Sequence, residues 1–194
     1  MKVAYMFVAT GRYNRFIPEL LESGTKNFFP KDDTEFIVWT DDKQVAPAAN
    51  LRVVEQSKLG WPFDTLFRYK LINQIASTLD HDYLFFGNAN MRFEAPIGAE
   101  ILPSAPSGLV MTVHPMLTEC PSSQLPYERN PVSTAYVPYD QQTVGPYCQG
   151  CFFGGTREAI VKMSAELEVN IDADYNNHGH ISPWWDESHM NKYI

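Results

Sequence analysis

The stretch DYLFFGNAN, residues 82–90, decides how the chain is interpreted. Its first half is an apolar run typical of a buried strand, and the run stops at a glycine. Asn88 and Asn90 follow, and their alternate spacing places both side chains on one side of an extended chain. Two aspartates here would indicate a metal site, because hard divalent cations prefer charged oxygen ligands. Two amides indicate either an ordinary Asx turn or a site that donates N–H groups to phosphate or sugar oxygens.

Strands and helices alternate around this stretch. Further strands are predicted at 2–9, 35–42, 51–56 and 108–115. Amphipathic helices are predicted from about 16 to 29, at 62–79 and at 156–167. This order predicts an α/β fold with a mainly parallel sheet flanked by helices. In such sheets ligands bind beyond the carboxyl ends of the strands, where Asn88 and Asn90 lie.

Size and charge limit the possible classes of protein. The 194 residues are enough for one domain with a substantial core, and we expect a single domain over 1–194. The net charge of −8 and the lack of a basic run argue against a nucleic-acid or anionic-membrane partner. No apolar run approaches the ~20 residues of a membrane span. Three cysteines do not suggest a disulfide framework, so a reducing cytoplasm fits best.

The second half of the chain contains a long irregular stretch at 118–150, rich in Pro, Tyr, Ser and Gln. Its length predicts a functional loop or a flap over a site. Cys148 and Cys151 form a single C-x-x-C pair, whereas a zinc site would need two more ligands. A redox pair would open a helix, but this pair runs into two phenylalanines and two glycines. We therefore predict packed thiols in or near a pocket.

Two acids follow two tryptophans near the end of the chain, in the run Trp184-Trp185-Asp186-Glu187. Acids favour helix N-termini, so a capping role is one interpretation. The other is a sugar site, in which an indole stacks on an apolar sugar face and a carboxylate stabilises an oxocarbenium-like transition state.

Together these segments resemble glycosyltransferase family six, which includes the histo-blood-group A and B transferases, the α-1,3-galactosyltransferase, the Forssman synthase and shorter bacterial members. The motifs that carry the resemblance are DYLFFGNAN at 82–90, VHP at 113–115, YERNPVSTAYVPYD at 127–140, GCFFGG at 150–155 and WDESHMNKY at 185–193. The resemblance implies a GT-A fold, Rossmann-like and mainly parallel. It also implies a nucleotide-binding half at 1–90 and an acceptor and catalytic half at 91–194.

The activity implied by the resemblance is retaining transfer of N-acetylgalactosamine or galactose from UDP, in α-1,3 linkage, to a β-galactoside that carries a 2'-fucose. Of the two donors we favour UDP-N-acetylgalactosamine slightly over UDP-galactose. Eight residues match donor-contacting positions: Phe7, Tyr13, Arg68, Asn88, Asn90, Gln149, Gly150 and Cys151. Among them, Phe7 and Tyr13 match uridine contacts, and 149–151 matches the segment that selects the donor sugar.

The remaining matched positions concern the acceptor and catalysis. His114 matches an acceptor-contacting histidine, and Trp184 matches a tryptophan that packs on the acceptor. Asp186 matches a donor-sugar contact, and we expect it to be catalytic together with Glu187. Glu187 matches the glutamate that faces the reacting carbon as nucleophile or transition-state stabiliser, and we expect it to contact the acceptor as well. Trp185 departs from the family pattern, which has a histidine there.

The two asparagines replace the family's Asp-X-Asp, which binds Mn²⁺ in the animal enzymes. Bacterial members resemble this chain in having Asn-X-Asn, so the resemblance implies a cytoplasmic bacterial enzyme without metal or other cofactor; peripheral attachment to the inner membrane stays open. Relatives continue beyond the position of Ile194 with a basic segment that closes over UDP. Two alternatives follow: a nucleotide-sugar or glycan-binding module impaired for lack of that segment, and a metal-dependent transferase using Asp41 or Asp42.

Overall fold

The computed structural model describes residues 1–104, 106–141 and 145–194. Its strands are β1 Lys2–Val8, β2 Asp33–Thr40, β3 Leu51–Glu55, β4 Tyr83–Gly87, β5 Leu109–Val113 and β6 Cys148–Thr156. Its α-helices are α1 Ile17–Asn27, α2 Phe63–Leu66, α3 Arg68–Ile75, α4 Arg157–His178 and α5 Asp186–Tyr193. Short 3₁₀ turns lie at Gly11–Phe16, Ala76–Thr78, Ala99–Ile101 and Ser122–Gln124.

The six strands form one sheet in the order β3-β2-β1-β4-β6-β5. Strands β1 to β4 are parallel to one another, and β6 is antiparallel to both β4 and β5. The prediction of an α/β fold with a mainly parallel, helix-flanked sheet is therefore confirmed. Both faces of the sheet are covered by apolar clusters, which is why β1, β2 and β4 are nearly continuous apolar runs.

Strand β6 corrects the sequence analysis, which assigned its first residues to the end of the irregular loop. Its glycines made the segment unlike a strand, because glycine weakens strand interiors. The structure gives them a packing reason: a Cβ on Gly154 would collide with the ring of Phe85 on β4, and one on Gly155 with the carbonyl oxygen of Gly108. Glycine thus lets an aromatic ring lie over the strand.

The predicted loop is held by specific polar contacts rather than by secondary structure. Arg129 donates to the carbonyl oxygens of Val137 at 2.7 Å and Pro138 at 2.8 Å, which closes the loop on itself. Asp174 on α4 accepts from the backbone N–H of Thr134 at 2.9 Å, which docks the loop on the helix. Residues 142–144 of the loop lie outside the described residues. In the part of the chain that is described, no helix has the length and apolarity needed to cross a membrane.

Candidate active site

A cavity of about 310 Å³ lies where β1 and β4 end. It is lined by Val8, Thr10, Arg12, Tyr13, Lys58, Trp61, Asp64, Thr65, Arg68, Phe86, Gly87, Asn88, Ala89 and Asn90. This is the edge at which an open α/β sheet binds its ligands. The cavity therefore lies where the sequence predicted a ligand site, beyond the carboxyl ends of the parallel strands.

Asn88 and Asn90 both line this cavity directly after β4. The backbone N–H of Asn88 donates to the carbonyl oxygen of Cys151 at 3.0 Å, which fixes the chain as it leaves the strand. Asn88 is partly buried and Asn90 is exposed. Within the described residues neither side-chain amide has a hydrogen-bond partner, so both have N–H donors available for a ligand.

Tyr13 and Phe7, the two predicted uridine contacts, are placed differently. Tyr13 lies on the turn Gly11–Phe16, is 46% exposed and lines the cavity. Phe7 is completely buried in the apolar cluster that packs against α1. The next residue, Val8, lines the cavity instead, because adjacent strand residues face opposite sides of the sheet. The structure therefore does not bring Phe7 to the cavity.

Arg68 connects the cavity with the acids of α5. Its Nε lies 2.9 Å from Oδ2 of Asp186, and both residues are buried. Its guanidinium also lies over the ring of Phe86, 5.2 Å from the centroid. The carboxylate of Asp186 offsets the charge of Arg68 in this buried place.

Gly150 joins Arg68 to Glu187 through a single residue of β6. Its carbonyl oxygen accepts from Nη1 of Arg68 at 2.5 Å, and its N–H donates to Oε2 of Glu187 at 2.7 Å. A Cβ at Gly150 would lie 3.5 Å from Oδ2 of Asp186. The segment 149–151, the buried arginine and both acids therefore meet at one point.

Burial and negative charge raise several pKa values around this point. Burial raises the pKa of Asp186, and Glu187 raises it further, while Arg68 lowers it. Burial and the charge of Glu187 also raise the pKa of the Cys151 thiol and of the Tyr147 phenol. Both groups stay protonated near neutral pH, so neither adds negative charge beside Glu187.

The start of α5 is built so that both acids point towards β6. Trp185 precedes the helix with φ of 52°, in the left-handed region, and its N–H donates to the carbonyl oxygen of Ser182 at 2.9 Å. Asn191 then fixes the helix to the sheet: it donates to the carbonyl oxygen of Cys148 at 2.7 Å and accepts from the N–H of Cys148 at 2.8 Å. This arrangement explains why the acids and Asn191 fall in one short motif.

Comparison with known proteins gives the family. A family model described as glycosyltransferase family 6 matches residues 1–194. The chain belongs to glycosyltransferase family 6. It is similar to globoside alpha-1,3-N-acetylgalactosaminyltransferase 1 from Gallus gallus, with 31% identity over 196 residues that cover 96% of this chain and 55% of the relative.

Two further relatives extend the comparison. The O-antigen biosynthesis glycosyltransferase WbnI from Escherichia coli is 30% identical over 198 residues, covering 100% of this chain and 82% of the relative. Histo-blood group ABO system transferase 2 from Rattus norvegicus is 30% identical over 96% of this chain and 57% of the relative. The chain thus spans little more than half the length of these animal members of the family.

The other positions that match the family's site residues lie near Gly150 and the two acids of α5 but do not line the cavity. Gln149 and Cys151 are partly buried on β6. His114 follows β5, and its ring lies 6.3 Å from that of Tyr147. Trp184 is 45% exposed, and its ring lies 6.2 Å from that of Trp185.

The thiols agree with the prediction of packed, unlinked cysteines near the site: Cys148 is buried, Cys151 is partly buried, and both are free. Within the described residues, no group of three or more His, Cys, Asp or Glu side chains could hold a metal ion.

Several cavity residues were missed by the sequence analysis: Arg12, Lys58, Trp61 and Asp64. Three of them lie on or just after the segment between β3 and α2. The signal that could have found them is topology, because this segment follows the carboxyl end of a parallel strand. Trp61 also touches Trp185, with ring centroids 5.1 Å apart, which links this segment to α5.

Proposed function

We propose that the chain is a retaining, metal-independent glycosyltransferase that moves N-acetylgalactosamine or galactose from UDP, in α-1,3 linkage, to a fucosylated β-galactoside. The observation that carries the proposal is the connection from the cavity to Glu187. The cavity offers Asn88 and Asn90 for a diphosphate, and Arg68 and Gly150 lead from it to the carboxylate.

The donor site must hold a diphosphate and accept the charge that develops on it. Amide N–H groups donate to phosphate oxygens without adding negative charge, whereas carboxylates would need a cation between. Arg68 supplies positive charge at the cavity wall. Fixed donors of this kind stabilise a leaving group without reorganisation during the reaction.

Glu187 is the residue to which we assign stabilisation of the reacting carbon. Asp186 is buried and paired with Arg68, so its carboxylate is already committed. Glu187 has one oxygen anchored by the N–H of Gly150, which orients the carboxylate. When the bond from the anomeric carbon to UDP breaks, its electrons pass to the phosphate oxygen. Glu187 then faces the positive charge on the sugar, as a covalent nucleophile or as an electrostatic partner.

The acceptor hydroxyl completes the transfer. Its oxygen forms the new bond to the anomeric carbon from the face that UDP leaves, and in either route its proton passes to the phosphate oxygen of UDP. In the covalent route the bond between Glu187 and the anomeric carbon breaks at this step, and its electrons return to the carboxylate. Either route retains the configuration of the sugar.

The choice of sugar falls to the segment 149–151. Gln149 has an amide that can hydrogen-bond an acetamido group, and Cys151 is smaller than most side chains. One of the relatives described above bears on the choice, because the Gallus gallus protein is named an N-acetylgalactosaminyltransferase. These features favour N-acetylgalactosamine as the first donor to test.

The test is a transfer assay by mass spectrometry with UDP-N-acetylgalactosamine and UDP-galactose, each with lactose and with 2'-fucosyllactose, in EDTA and in Mn²⁺. We expect a product with the fucosylated acceptor in EDTA. Binding of UDP-sugar without transfer or hydrolysis would indicate a binding module. Activity that appears only with Mn²⁺ would contradict the metal-independent mechanism.

A further inference from the structure

Two cations of the cavity have no role in the mechanism above. Arg12 and Lys58 both line the cavity and are both exposed. Within the described residues neither forms a hydrogen bond or an ion pair with a carboxylate. Lys58 interacts with the carboxylate of Asp41 only at longer range, where its charge helps to lower the pKa of that acid. Neither cation is held in an ion pair, so both can contact a ligand that enters the cavity.

Arg68 cannot supply all the positive charge that a diphosphate needs. Its Nε is 2.9 Å from Asp186, and its Nη1 donates to Gly150. The negative charge of Asp186 offsets that of the guanidinium at close range. A diphosphate with two or three negative charges therefore requires further cations for its binding.

Lys58 is held at the cavity by its packing on a glycine. Gly11 has φ of +56°, and a Cβ there would lie 3.0 Å from Cδ and 3.4 Å from Nζ of Lys58. The stem of Lys58 thus crosses the turn that carries Arg12. Asp41 fixes this turn by accepting from the N–H of Gly11 at 2.8 Å and from Nδ2 of Asn14 at 2.8 Å.

Asp64, the single acid among the described residues of the lining, already has hydrogen-bond partners. Its Oδ1 accepts from the N–H of Leu59 at 2.9 Å, and its Oδ2 accepts from the N–H of Gly60 at 3.0 Å. These bonds close the segment that follows Lys58 onto α2. Asp64 therefore shapes the loop beside Lys58.

We propose that Arg12 and Lys58 bind the diphosphate of the donor and stabilise the negative charge on the departing UDP. They act with the amides of Asn88 and Asn90, in the place where a metal-dependent relative uses a cation. The inference rests on the proposed function for the identity of the ligand. The exposed cations and amides that line the cavity point by themselves only to an anionic ligand.

The test compares Arg12→Gln, Lys58→Gln and the double variant with two matched controls. Arg15→Gln removes a cation from the same turn, where the Arg15 guanidinium lies 4.7 Å from the ring centroid of Phe16. Lys43→Gln removes an exposed cation that pairs with Glu55 at 3.4 Å. Uridine, UMP, UDP and inorganic diphosphate are titrated by calorimetry in EDTA, and melting temperature is recorded for each variant.

We expect each single variant to weaken UDP binding about fivefold and the double variant at least about twentyfold, because charge-assisted bonds to phosphate are lost at a partly solvated site. Diphosphate binding falls in parallel, uridine binding stays within about twofold, and the controls bind all four probes as the parent does. The loss also shrinks at high salt, because screening weakens exposed charges.

Two results would overturn the inference. One is UDP affinity of the double variant within about twofold of the parent. The other is an equal loss for uridine and UDP at unchanged melting temperature. If the parent binds inorganic diphosphate but not UDP, and the double variant loses diphosphate, the proposed function fails while the anion site stands. If the parent binds neither probe, both proposals fail.

Discussion

Arg68 and Asp186 form a buried ion pair beside the cavity, with Nε of the arginine 2.9 Å from Oδ2 of the aspartate. Their residues are 5% and 1% exposed. The pair joins α3 to α5, two helices that are far apart in the sequence. A buried ion pair adds little stability compared with two apolar side chains of similar volume, but removing one partner leaves the other charge buried and unpaired. The pair therefore fixes the orientation of α5 more than it adds to stability.

The first prediction concerns this pair. Arg68→Met leaves Asp186 buried without its partner, and we expect a loss of about 3 kcal/mol in the free energy of unfolding by urea. Arg68→Met combined with Asp186→Leu removes both charges and should be less destabilised than the sum of the two single variants by at least about 1 kcal/mol. Strictly additive free energies of unfolding would mean that the pair is not formed.

A pair of glycines in β6 gives the second prediction. A methyl group on Gly154 would run into the ring of Phe85, so Gly154→Ala should lower the free energy of unfolding by about 2 kcal/mol or more. Gly150→Ala is the matched control, because its methyl group would lie 3.5 Å from Asp186 and 3.7 Å from Glu187, at ordinary contact distance. Thermal melts of both variants test whether only Gly154→Ala is destabilised. Equal melting temperatures would contradict the packing of β6 on β4.

Buried His189 predicts a pH dependence of stability. Burial lowers the pKa of His189 to about 4. The charges of Asp174 and Glu128 oppose this shift, and that of His180 adds to it. The neutral ring therefore stabilises the fold fully above the ordinary pKa of 6.5, and this contribution is lost as pH falls from 6.5 through 4. Its size is at most about 3 kcal/mol, since a tenfold difference in proton affinity is worth about 1.4 kcal/mol.

The check for His189 is urea unfolding between pH 7.5 and 4.5 for the parent and for His189→Gln. The variant should show a shallower loss of stability over this range, because its amide does not titrate. Parallel curves for the two proteins would mean that His189 does not take up a proton on unfolding.

The asparagines give the fourth prediction. Changing both Asn88 and Asn90 to Asp should weaken UDP binding in EDTA by at least about tenfold, since two carboxylates would then face the diphosphate with no cation between them. Adding Mn²⁺ should restore part of the affinity of the double variant and leave that of the parent within about twofold. Unchanged affinity in EDTA would show that these side chains do not contact the diphosphate.

The sheet was predictable from the sequence where its strands are buried on both faces. Strands β1, β2 and β4 are nearly continuous apolar runs, and the carboxyl end of β4 locates Asn88 and Asn90 at the cavity edge. Strand β6 was not predictable, because the reason for Gly154 is the ring of Phe85 on another strand. A contact between distant residues leaves no periodic signal in either segment.

Only part of the site could be predicted from the sequence, and two physical reasons explain why the rest could not. Adjacent residues of a strand face opposite sides of the sheet, so Phe7 lies in the core while Val8 lines the cavity, and the sequence alone does not say which face is which. Arg12 and Lys58 come from separate segments that meet only because β3, β2 and β1 are adjacent. The local sequence of neither segment carries information about the order of the strands in the sheet.

The most direct test of the account is single-turnover transfer by Glu187→Gln, measured together with UDP affinity and melting temperature. The change keeps the shape of the side chain, and the amide oxygen can still accept from Gly150, so fold and UDP binding should persist. We predict a fall in the transfer rate of about 10²–10⁴, the scale expected when a charged group is removed from a preorganised site. A rate within a few-fold of the parent would contradict the role of Glu187 and move it to Asp186.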